Sequence, residues 1–520
     1  MTHYHACAML QTTTWADQTS AFVWDRPAAP ENWENKPFIV GETKGNITGR
    51  RLLEAFLDIP DHSSRSNYEL SVFNQIFDSD KLEQIRDGNY EDTTGLTVWI
   101  HDRNSTTGES RPYNGPVLTK KFDEVLKRKR LSDPEWADVH IRRMYLPNPY
   151  PSTLGVLALS SSQQHSVMIR EMIYKHLKGD TSLSVEFGLA GRNFTFESHI
   201  PFFVLKRSTS PKKDNRMTSK SKPIRKTHDL SFLSRSHTRL EMDTASDVLH
   251  ECHTSMVMTG WNLNFWTAWC LNDTYYYDDD GNDCNNEDML LHYVKGDQDD
   301  EFSHDLDPLS IGKLSADHTS PKDPREYFLL VLRFRIQKYK EEWANILHYM
   351  NESVCQYLLD THIPLLRGTT TLGNIDDHSE AVQNDEAWVR QTSNLLTKLI
   401  AALSKIIRCC RRFHSRDARL ITMETDAKVP SRTGNSLHLI SRIIDDFEGF
   451  LDDLNDLRTE VENFKSQISL HVAVDGGRAI GLQYWNVTIV YETSFFVHHA
   501  PSPGVHMSRY YTQTMQMSLP

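Results

Sequence analysis

The chain has 520 residues, of which 38% are apolar, and this is enough for two or three domains that each have a core. The formal net charge of −13 argues against a general nucleic-acid binder. Seven cysteines without a CxxC pair indicate reduced thiols in a cytosolic setting, and the first residues lack the basic and apolar regions of a signal peptide.

The amino-terminal half predicts a mixed α/β domain. Residues 1–35 are polar and are expected to be loosely ordered. From residue 36 onward, strand-like and helix-like segments alternate, which favours a mixed α/β domain that we extend to residue 322. The predicted strands are 37–40, 96–102, 139–146, 153–160, 182–189, 193–198 and 250–261, and the predicted helices are 49–59, 79–87, 119–130 and 163–179.

Two segments of opposite charge interrupt this domain. Residues 208–228 are rich in Ser, Thr, Pro, Lys and Arg and hold few bulky apolar side chains, so we predict a disordered basic loop. This loop is either a solvated linker or a contact for anionic lipid or for the acidic segment. Residues 277–307 form an acidic loop, with twelve Asp or Glu and one Lys between Asp278 and Asp307.

Part of the acidic loop matches a calcium-binding pattern. An EF-hand loop places oxygen ligands at positions one, three, five and twelve around a glycine at position six. With Gly281 at position six, Asp278, Asp280 and Glu287 fall at positions three, five and twelve, while position one falls on Tyr276. These three carboxylates are the candidate metal ligands, and we expect weak binding of hydrated Mg²⁺ rather than a tight calcium site. A solvated loop without an ion is the alternative.

Long helices are predicted after residue 322, and residues 323–472 are interpreted as a helix bundle or stalk. Asp323, Pro324 and Glu326 form a helix start. Further helices are predicted at 385–413 and 435–470. The last one carries a heptad seam, typical of a long bundle helix or of a coiled coil between chains. The seam consists of Leu437, Ile440, Ile444, Phe447, Leu451, Leu454, Leu457, Val461, Phe464 and Ile468.

Opposite charges predict how the last two helices pair. The helix at 435–470 carries a group of acidic residues, namely Asp445, Asp446, Glu448, Asp452, Asp453 and Asp456. The helix at 385–413 carries basic residues, namely Lys398, Lys405, Arg408, Arg411 and Arg412. We therefore expect 385–470 to form an antiparallel pair within one chain, and any homo-oligomer to be weak and built around the long helix.

Motifs for catalysis are absent from the sequence. It contains no P-loop, dinucleotide-binding glycine motif, GxSxG, HExxH or kinase signature. Cys409 and Cys410 lie beside three arginines that could lower a thiol pKa, but packing is their expected role. His250, Cys252 and His253 lie on a predicted strand, which places Cys252 and His253 on opposite faces, and no second ligand pair follows at a zinc spacing. We expect neither an enzyme nor a certain cofactor.

Four stretches together resemble a known family. They are "IPFFVLKRS" (200–208), "MTGWNLNFWTAWCLNDTYY" (258–276), "DPLSIGKL" (307–314) and "DPREYFLLVLRFRIQKYKEEW" (323–343). In this order they resemble the fungal branch of the CorA-like metal-ion transporters. The resemblance implies a cytosolic α/β domain, a stalk helix that enters the membrane as the first of two spans, a Gly-Met-Asn pore entrance and a pentamer that moves Mg²⁺.

The resemblance stops near the carboxyl end. In this family plan the helix at 435–470 would be the stalk, and residues 482–491 would be the start of the first span. Gly-Met-Asn and a second apolar run are absent from the sequence. Residues 473–520 are therefore predicted to be an irregular tail of a truncated membrane region. The resemblance implies a membrane-associated protein of divalent-cation transport or sensing. The chain as written is expected to be cytoplasmic, soluble and not transport-competent. The alternative is a soluble helical interaction protein without an ion role.

Overall fold

The computed structural model describes residues 22–26, 48–57, 71–90, 97–162, 164–188, 193–209, 213–218, 220–233, 245–277, 306–316, 320–366, 375–422 and 431–498. Its helices are α1 (Gly49–Leu57), α2 (Ser79–Arg86), α3 (Thr119–Lys127), α4 (Pro151–Ser160), α5 (Ser166–Lys178), α6 (Pro324–Leu366), α7 (Ile375–Arg412), α8 (Ala418–Thr422) and α9 (Ser431–His498). Its strands are β1 (Thr97–Arg103), β2 (Gly115–Leu118), β3 (Ile141–Pro147), β4 (Ser182–Phe187), β5 (Phe194–Ser208), β6 (Thr227–Asp229), β7 (Ser246–Gly260) and β8 (Trp266–Asn272).

The strands form one sheet in the order β2-β1-β3-β8-β7-β5-β4, with β6 paired to β7. Among the described strands, only β3 and β8 run parallel. The longest pairing joins β5 to β7, from Phe194 opposite Gly260 to Ser208 opposite Ser246. A mixed sheet followed by long helices confirms the predicted mixed α/β class at this coarse level.

Gly260 is required where β7 turns into β8. A Cβ atom at this position would lie 2.5 Å from the Phe265 carbonyl oxygen and 2.6 Å from the Trp266 Cβ, which is closer than real side chains approach. The turn is closed by Asn262, whose side-chain oxygen accepts the N–H groups of Asn264 and Phe265 at 2.9 and 2.8 Å. The glycine of the "GWNLNF" stretch therefore serves the backbone of a tight turn.

Both faces of the sheet are covered. Alternate residues of the central strands pack in one core with α1 to α5, and they include Val98, Ile100, Met144, Leu146, Trp269 and Leu271. The helix α6 packs against the sheet through aromatic pairs, with ring centroids 5.2 Å apart for Trp266 and Tyr327 and 4.8 Å apart for Phe202 and Tyr339. The sheet thus lies between short helices and the first long helix.

Two compact units divide the chain. The first comprises 1–370 and 391–459 and contains the whole sheet, and the second comprises 371–390 and 460–520. Within the second unit, the rings of Trp388 and Phe464 meet edge to face with centroids 5.9 Å apart. None of the helices in the described part of the chain is long and apolar enough to span a membrane.

One predicted strand is wrong. Residues 153–160 form most of the helix α4, in which Pro151 occupies the first turn. The run from Thr153 to Leu159 is buried at every position, so it shows neither the alternation of a half-exposed strand nor the stripe of an amphipathic helix. Periodicity cannot separate the two structures in such a run, and the preceding proline was the deciding signal.

The third long helix extends further than predicted. It begins at Ser431 and runs to His498, whereas the sequence predicted an end near residue 470 and an irregular tail from 473. Two glycines at 476 and 477 suggested that end, but each glycine costs only about 1 kcal/mol in a helix interior. A cooperative helix of 68 residues absorbs this cost. The seam residues Ile440, Ile444 and Val461 are fully buried, as predicted.

Candidate functional site

The predicted metal ligands Asp278, Asp280 and Glu287 lie outside the described residues. Tyr276, which would occupy position one of a calcium loop, lies in a short 3₁₀-helix and is 5% exposed. Its ring packs against His250, with centroids 6.1 Å apart. Among the residues that the structure describes, no group of three or more His, Cys, Asp or Glu is placed to hold a metal ion.

A buried charge centre forms around Asp273 at the end of β8. Its carboxylate accepts the Arg216 guanidinium at 2.7 Å and the Arg225 guanidinium at 2.5 Å, and it also accepts the backbone N–H of His253 at 2.8 Å. The His176 Nε2 atom lies 3.3 Å from the same carboxylate. Burial disfavours the charged form of Asp273, but the two arginines outweigh burial and hold its pKa well below the usual range.

The arginines of this centre come from the segment predicted to be a disordered basic loop, and that prediction is wrong for residues 213–218 and 220–228. Asp214 binds the Arg216 side chain with both oxygens, at 2.8 and 2.9 Å, and accepts the backbone N–H of Arg225 at 3.0 Å. Arg225 also donates to the His176 carbonyl oxygen at 2.6 Å. Ion pairs with Asp214 and Asp273 order this segment without the apolar burial on which the prediction rested.

Three buried histidines lie beside the charge centre. The ring centroid of His253 is 5.2 Å from that of His176 and 6.4 Å from that of His199. The Ser255 hydroxyl lies within hydrogen-bonding distance of His176 Nδ1 (3.2 Å) and His199 Nδ1 (2.9 Å). Burial lowers the pKa of His176 to about 4 and lowers the pKa of His199 and His253 as well. The three rings are therefore neutral at physiological pH. Because their protonation at low pH would place positive charge in the core, the stability of this core depends on pH.

A second buried carboxylate, Asp307, joins the sheet to the first long helix. It accepts the Arg143 guanidinium of β3 at 2.9 Å and the Tyr327 hydroxyl of α6 at 2.6 Å. Its other oxygen accepts the Leu309 N–H at 2.9 Å and so begins a short 3₁₀-helix. Asp273 and Asp307 both belong to the stretches that carry the family resemblance, and both hold elements together inside the protein.

Four of the described cysteines are poor nucleophiles. Burial raises the pKa of the Cys270 and Cys409 thiols to about 11 each. Burial also raises the pKa of Cys410 and Cys252, which lie in the interior. Arg412 lowers the pKa of Cys409, but burial outweighs it. Thiolate chemistry at neutral pH is thus disfavoured at these four positions, and packing is their role.

An acidic face runs along α9, and we call the side chains of Asp452, Asp453 and Asp456 the acidic triad. All three are exposed. The preceding acidic residues are paired: Arg411 of α7 contacts Asp445 and Glu448 at 2.7 Å each, and Lys340 of α6 contacts Asp446 at 3.0 Å. Within the described part of the chain, the acidic triad makes no ion pair.

Of the basic residues predicted to face α9, Arg411 does so. Lys398 instead contacts Glu251 of β7, and it also lies 2.7 Å from the Nε2 atom of His228 on β6. Burial opposes the ionisation of Glu251, but His228 and Lys398 outweigh it and lower its pKa to about 2. Of these two basic residues of α7, Lys398 therefore contacts the sheet and Arg411 contacts α9.

Comparisons with known proteins find similarity at the level of solved structures. No family model and no curated protein matches the chain. The structure of the full-length CmaX protein is similar with a TM-score of 0.38 and 10% identity, over 82% of this chain and 91% of that chain. The cytoplasmic domain of ZntB from Vibrio parahaemolyticus RIMD 2210633 is similar with a TM-score of 0.29 and 10% identity, over 72% of this chain and 100% of that chain.

Proposed function

We propose that this chain is a cytosolic-type domain of the CorA-like kind that gathers divalent cations, Mg²⁺ among them, on carboxylates of its longest helix. The observation that carries the proposal is the acidic triad on α9. Asp452 and Asp456 are four residues apart and so lie on one face, about 6 Å apart along the axis. Like charges at this spacing destabilise a helix by roughly 0.2–0.5 kcal/mol, and a bound cation relieves that repulsion.

The chemistry of the triad fits a weak, hydrated ion. Mg²⁺ keeps several water molecules and needs only one or two carboxylates, whereas Ca²⁺ takes six to eight oxygen ligands. Three exposed aspartates on one helix supply few direct ligands and a high local negative charge. We therefore propose outer-sphere binding at about millimolar concentrations, with Mg²⁺ and other hydrated divalent cations competing for the same face.

The acidic segment 277–307 is a second place where we propose that cations gather. Apart from the buried Asp307, eleven carboxylates between Asp278 and Asp305 repel one another, and Asp278, Asp280 and Glu287 remain the candidate ligands. A separate variant, Asp278→Asn with Asp280→Asn and Glu287→Gln, is expected to lose a smaller part of the Mg²⁺ heat than the acidic triad variant in the titration that follows.

Calorimetric titration with MgCl₂ in 0.15 M salt tests the proposal. A triple variant, Asp452→Asn with Asp453→Asn and Asp456→Asn, is expected to lose most of the Mg²⁺ heat. A control variant removes the same number of charges from α6, at the exposed Glu341 and Glu352 and the half-exposed Asp360, through Glu341→Gln, Glu352→Gln and Asp360→Asn. Equal Mg²⁺ binding by the wild type and the acidic triad variant would contradict the proposal. Equal loss of Mg²⁺ binding in the acidic triad variant and the α6 control variant would also contradict it, because binding would then depend only on the net charge of the protein.

A soluble interaction protein is the second candidate, and a specific observation favours it. Leu470, Val472 and Val474 of α9 are exposed to between 44% and 67%. We propose that a second copy of the chain covers this part of the helix, because the apolar stretch 479–491 continues the same helix. Light scattering is expected to show a mass that rises with concentration and falls in Leu470→Asp. A monomer at all concentrations would contradict this candidate.

We also propose that α7 and α9 pair in an antiparallel manner within one chain. Two contacts support it, each inside one unit: Arg411 with Glu448 in the first, and Trp388 with Phe464 in the second. Residue numbers rise along α7 while they fall along α9 between these contacts, as antiparallel helices require. One test replaces Arg411 and Glu448 by cysteines, and a second replaces Trp388 and Phe464. In each variant a disulfide is expected to form within one chain, so the protein keeps the mass of a single chain under denaturing, non-reducing conditions.

A further inference from the structure

A basic cleft opens on the side of the sheet that carries the short helices. It has a volume of about 70 Å³ and lies between the end of α3, the end of α4, the start of α5 and the strands β3 and β8. Five cations line it, and no Asp or Glu does. These cations are Lys127, Arg128, Lys129, Arg130 and Arg142.

Two of the cations are held in place from inside the protein. Arg142 binds the buried Asp102 with two hydrogen bonds, of 2.7 and 2.6 Å. Arg130 donates to the Thr267 hydroxyl at 2.7 Å and to the backbone carbonyl oxygen of His140 at 2.9 Å. Both guanidinium groups thus use these donors inside the protein, and Asp102 neutralises Arg142, so the hydrogen-bond donors for a ligand come from the other three cations.

The other cations lie at the mouth of the cleft. Arg128 stacks 4.0 Å above the Trp136 ring and contacts Glu135 at 3.2 Å, and Lys127 contacts Asp123 at 2.7 Å. Lys129 is exposed and makes no ion pair within the residues described. Lys129 and Arg128 are thus positioned to contact an anion that enters the cleft.

Hydroxyl groups and helix ends contribute less than these charges. The hydroxyls of Ser160 and Ser161 donate to carbonyl oxygens of α4 and so turn away from a ligand. The Ser162 hydroxyl accepts the N–H of His165 at 3.3 Å, which leaves its hydrogen to donate. The end of α4 contributes about half a negative charge and the start of α5 about half a positive charge, so these two effects cancel and the side-chain cations decide the sign.

We infer that this cleft binds a phosphate group. The reasons are a lining that holds five cations and no carboxylate, the side-chain donors of Lys127, Arg128 and Lys129, and a volume that holds about five water molecules. The group is either inorganic phosphate or the phosphate of a lipid headgroup, whose remaining part lies outside. This inference is independent of cation binding by the acidic triad, which lies on another helix.

Calorimetry of the full chain with sodium orthophosphate, at constant ionic strength, tests the inference. Arg128→Gln with Lys129→Gln is expected to weaken binding at least tenfold, because both residues are at the mouth and neither supports the core. Lys120→Gln with Lys121→Gln is the matched control, since both are exposed residues of α3 that do not line the cleft, and this variant is expected to bind phosphate as the wild type does.

Sedimentation with vesicles separates the two sources of phosphate. Vesicles with phosphatidic acid in phosphatidylcholine, compared with phosphatidylcholine alone, are expected to bind the wild type only if the source is a headgroup, and orthophosphate should then displace the protein. Binding of orthophosphate without binding of vesicles identifies free phosphate as the ligand. The inference is overturned if neither probe binds in a saturable way, or if Lys120→Gln with Lys121→Gln weakens binding as much as Arg128→Gln with Lys129→Gln does.

Discussion

Asp273→Asn is expected to destabilise the sheet strongly. The substitution keeps the size of the side chain but removes the charge that faces two arginines, of which Arg216 is 1% exposed and Arg225 is 6% exposed. Removal of one partner from a buried ion pair costs about 3–5 kcal/mol, because the remaining charge stays buried without compensation. Arg216 retains Asp214, so we expect a loss near the lower end, at about 3 kcal/mol, which corresponds to roughly a hundredfold change in an opening equilibrium.

Hydrogen exchange with mass spectrometry measures this loss where it occurs. Amides of β7 between residues 248 and 258 should lose about a hundredfold in protection in Asp273→Asn. Asp456→Asn, which removes the same charge from an exposed position of α9, should leave these amides unchanged. A loss of less than tenfold in Asp273→Asn would show that the charge centre does not stabilise the sheet in the way that its geometry indicates.

Three further predictions concern acid, the turn and the thiols. Burial lowers the pKa of His176 to about 4, whereas the pKa is about 6.5 in the unfolded chain. The free energy of unfolding should therefore fall as the pH decreases from 6.5 to 4, by up to roughly 1.4 kcal/mol per pH unit for each such histidine. A thermal midpoint that does not change between pH 6.5 and pH 5 would refute this. Gly260→Ala should lower that midpoint by several degrees at pH 7, and an unchanged midpoint would mean that the turn relaxes without cost. Alkylation at pH 8 followed by peptide mapping should modify Cys355 before Cys410, since the latter is buried and its pKa is raised; the reverse order would contradict the packing role.

The sequence was informative wherever a pattern is local. The seam of α9 and the start of α6 at Asp323 follow from spacing and capping, and Asp323 does accept the Arg325 N–H at 2.8 Å. The strand predicted at 250–261 is found as part of β7, although β7 is buried at nearly every position after Asp247 and does not alternate in burial. These features depend on residues within a few positions of one another, so a single sequence contains them.

The charge centre could not be found in this way. Its members come from α5, β7, the end of β8 and the basic segment, and no spacing relates His176 to Arg216 or Asp273. The one available signal was Asp214, a lone acid among nine cations between Lys206 and Lys226. Composition describes the average polarity and charge of such a segment, whereas the ordered structure of this segment depends on the two carboxylates of Asp214 and Asp273.

Electron paramagnetic resonance of Mn²⁺ tests the central proposal most directly, because it counts unbound Mn²⁺ in the presence of the protein. We predict that the wild type binds Mn²⁺, that millimolar MgCl₂ displaces it, and that the acidic triad variant binds less than half as much as the α6 control variant. Equal Mn²⁺ binding by the two variants would contradict the proposal that α9 gathers divalent cations.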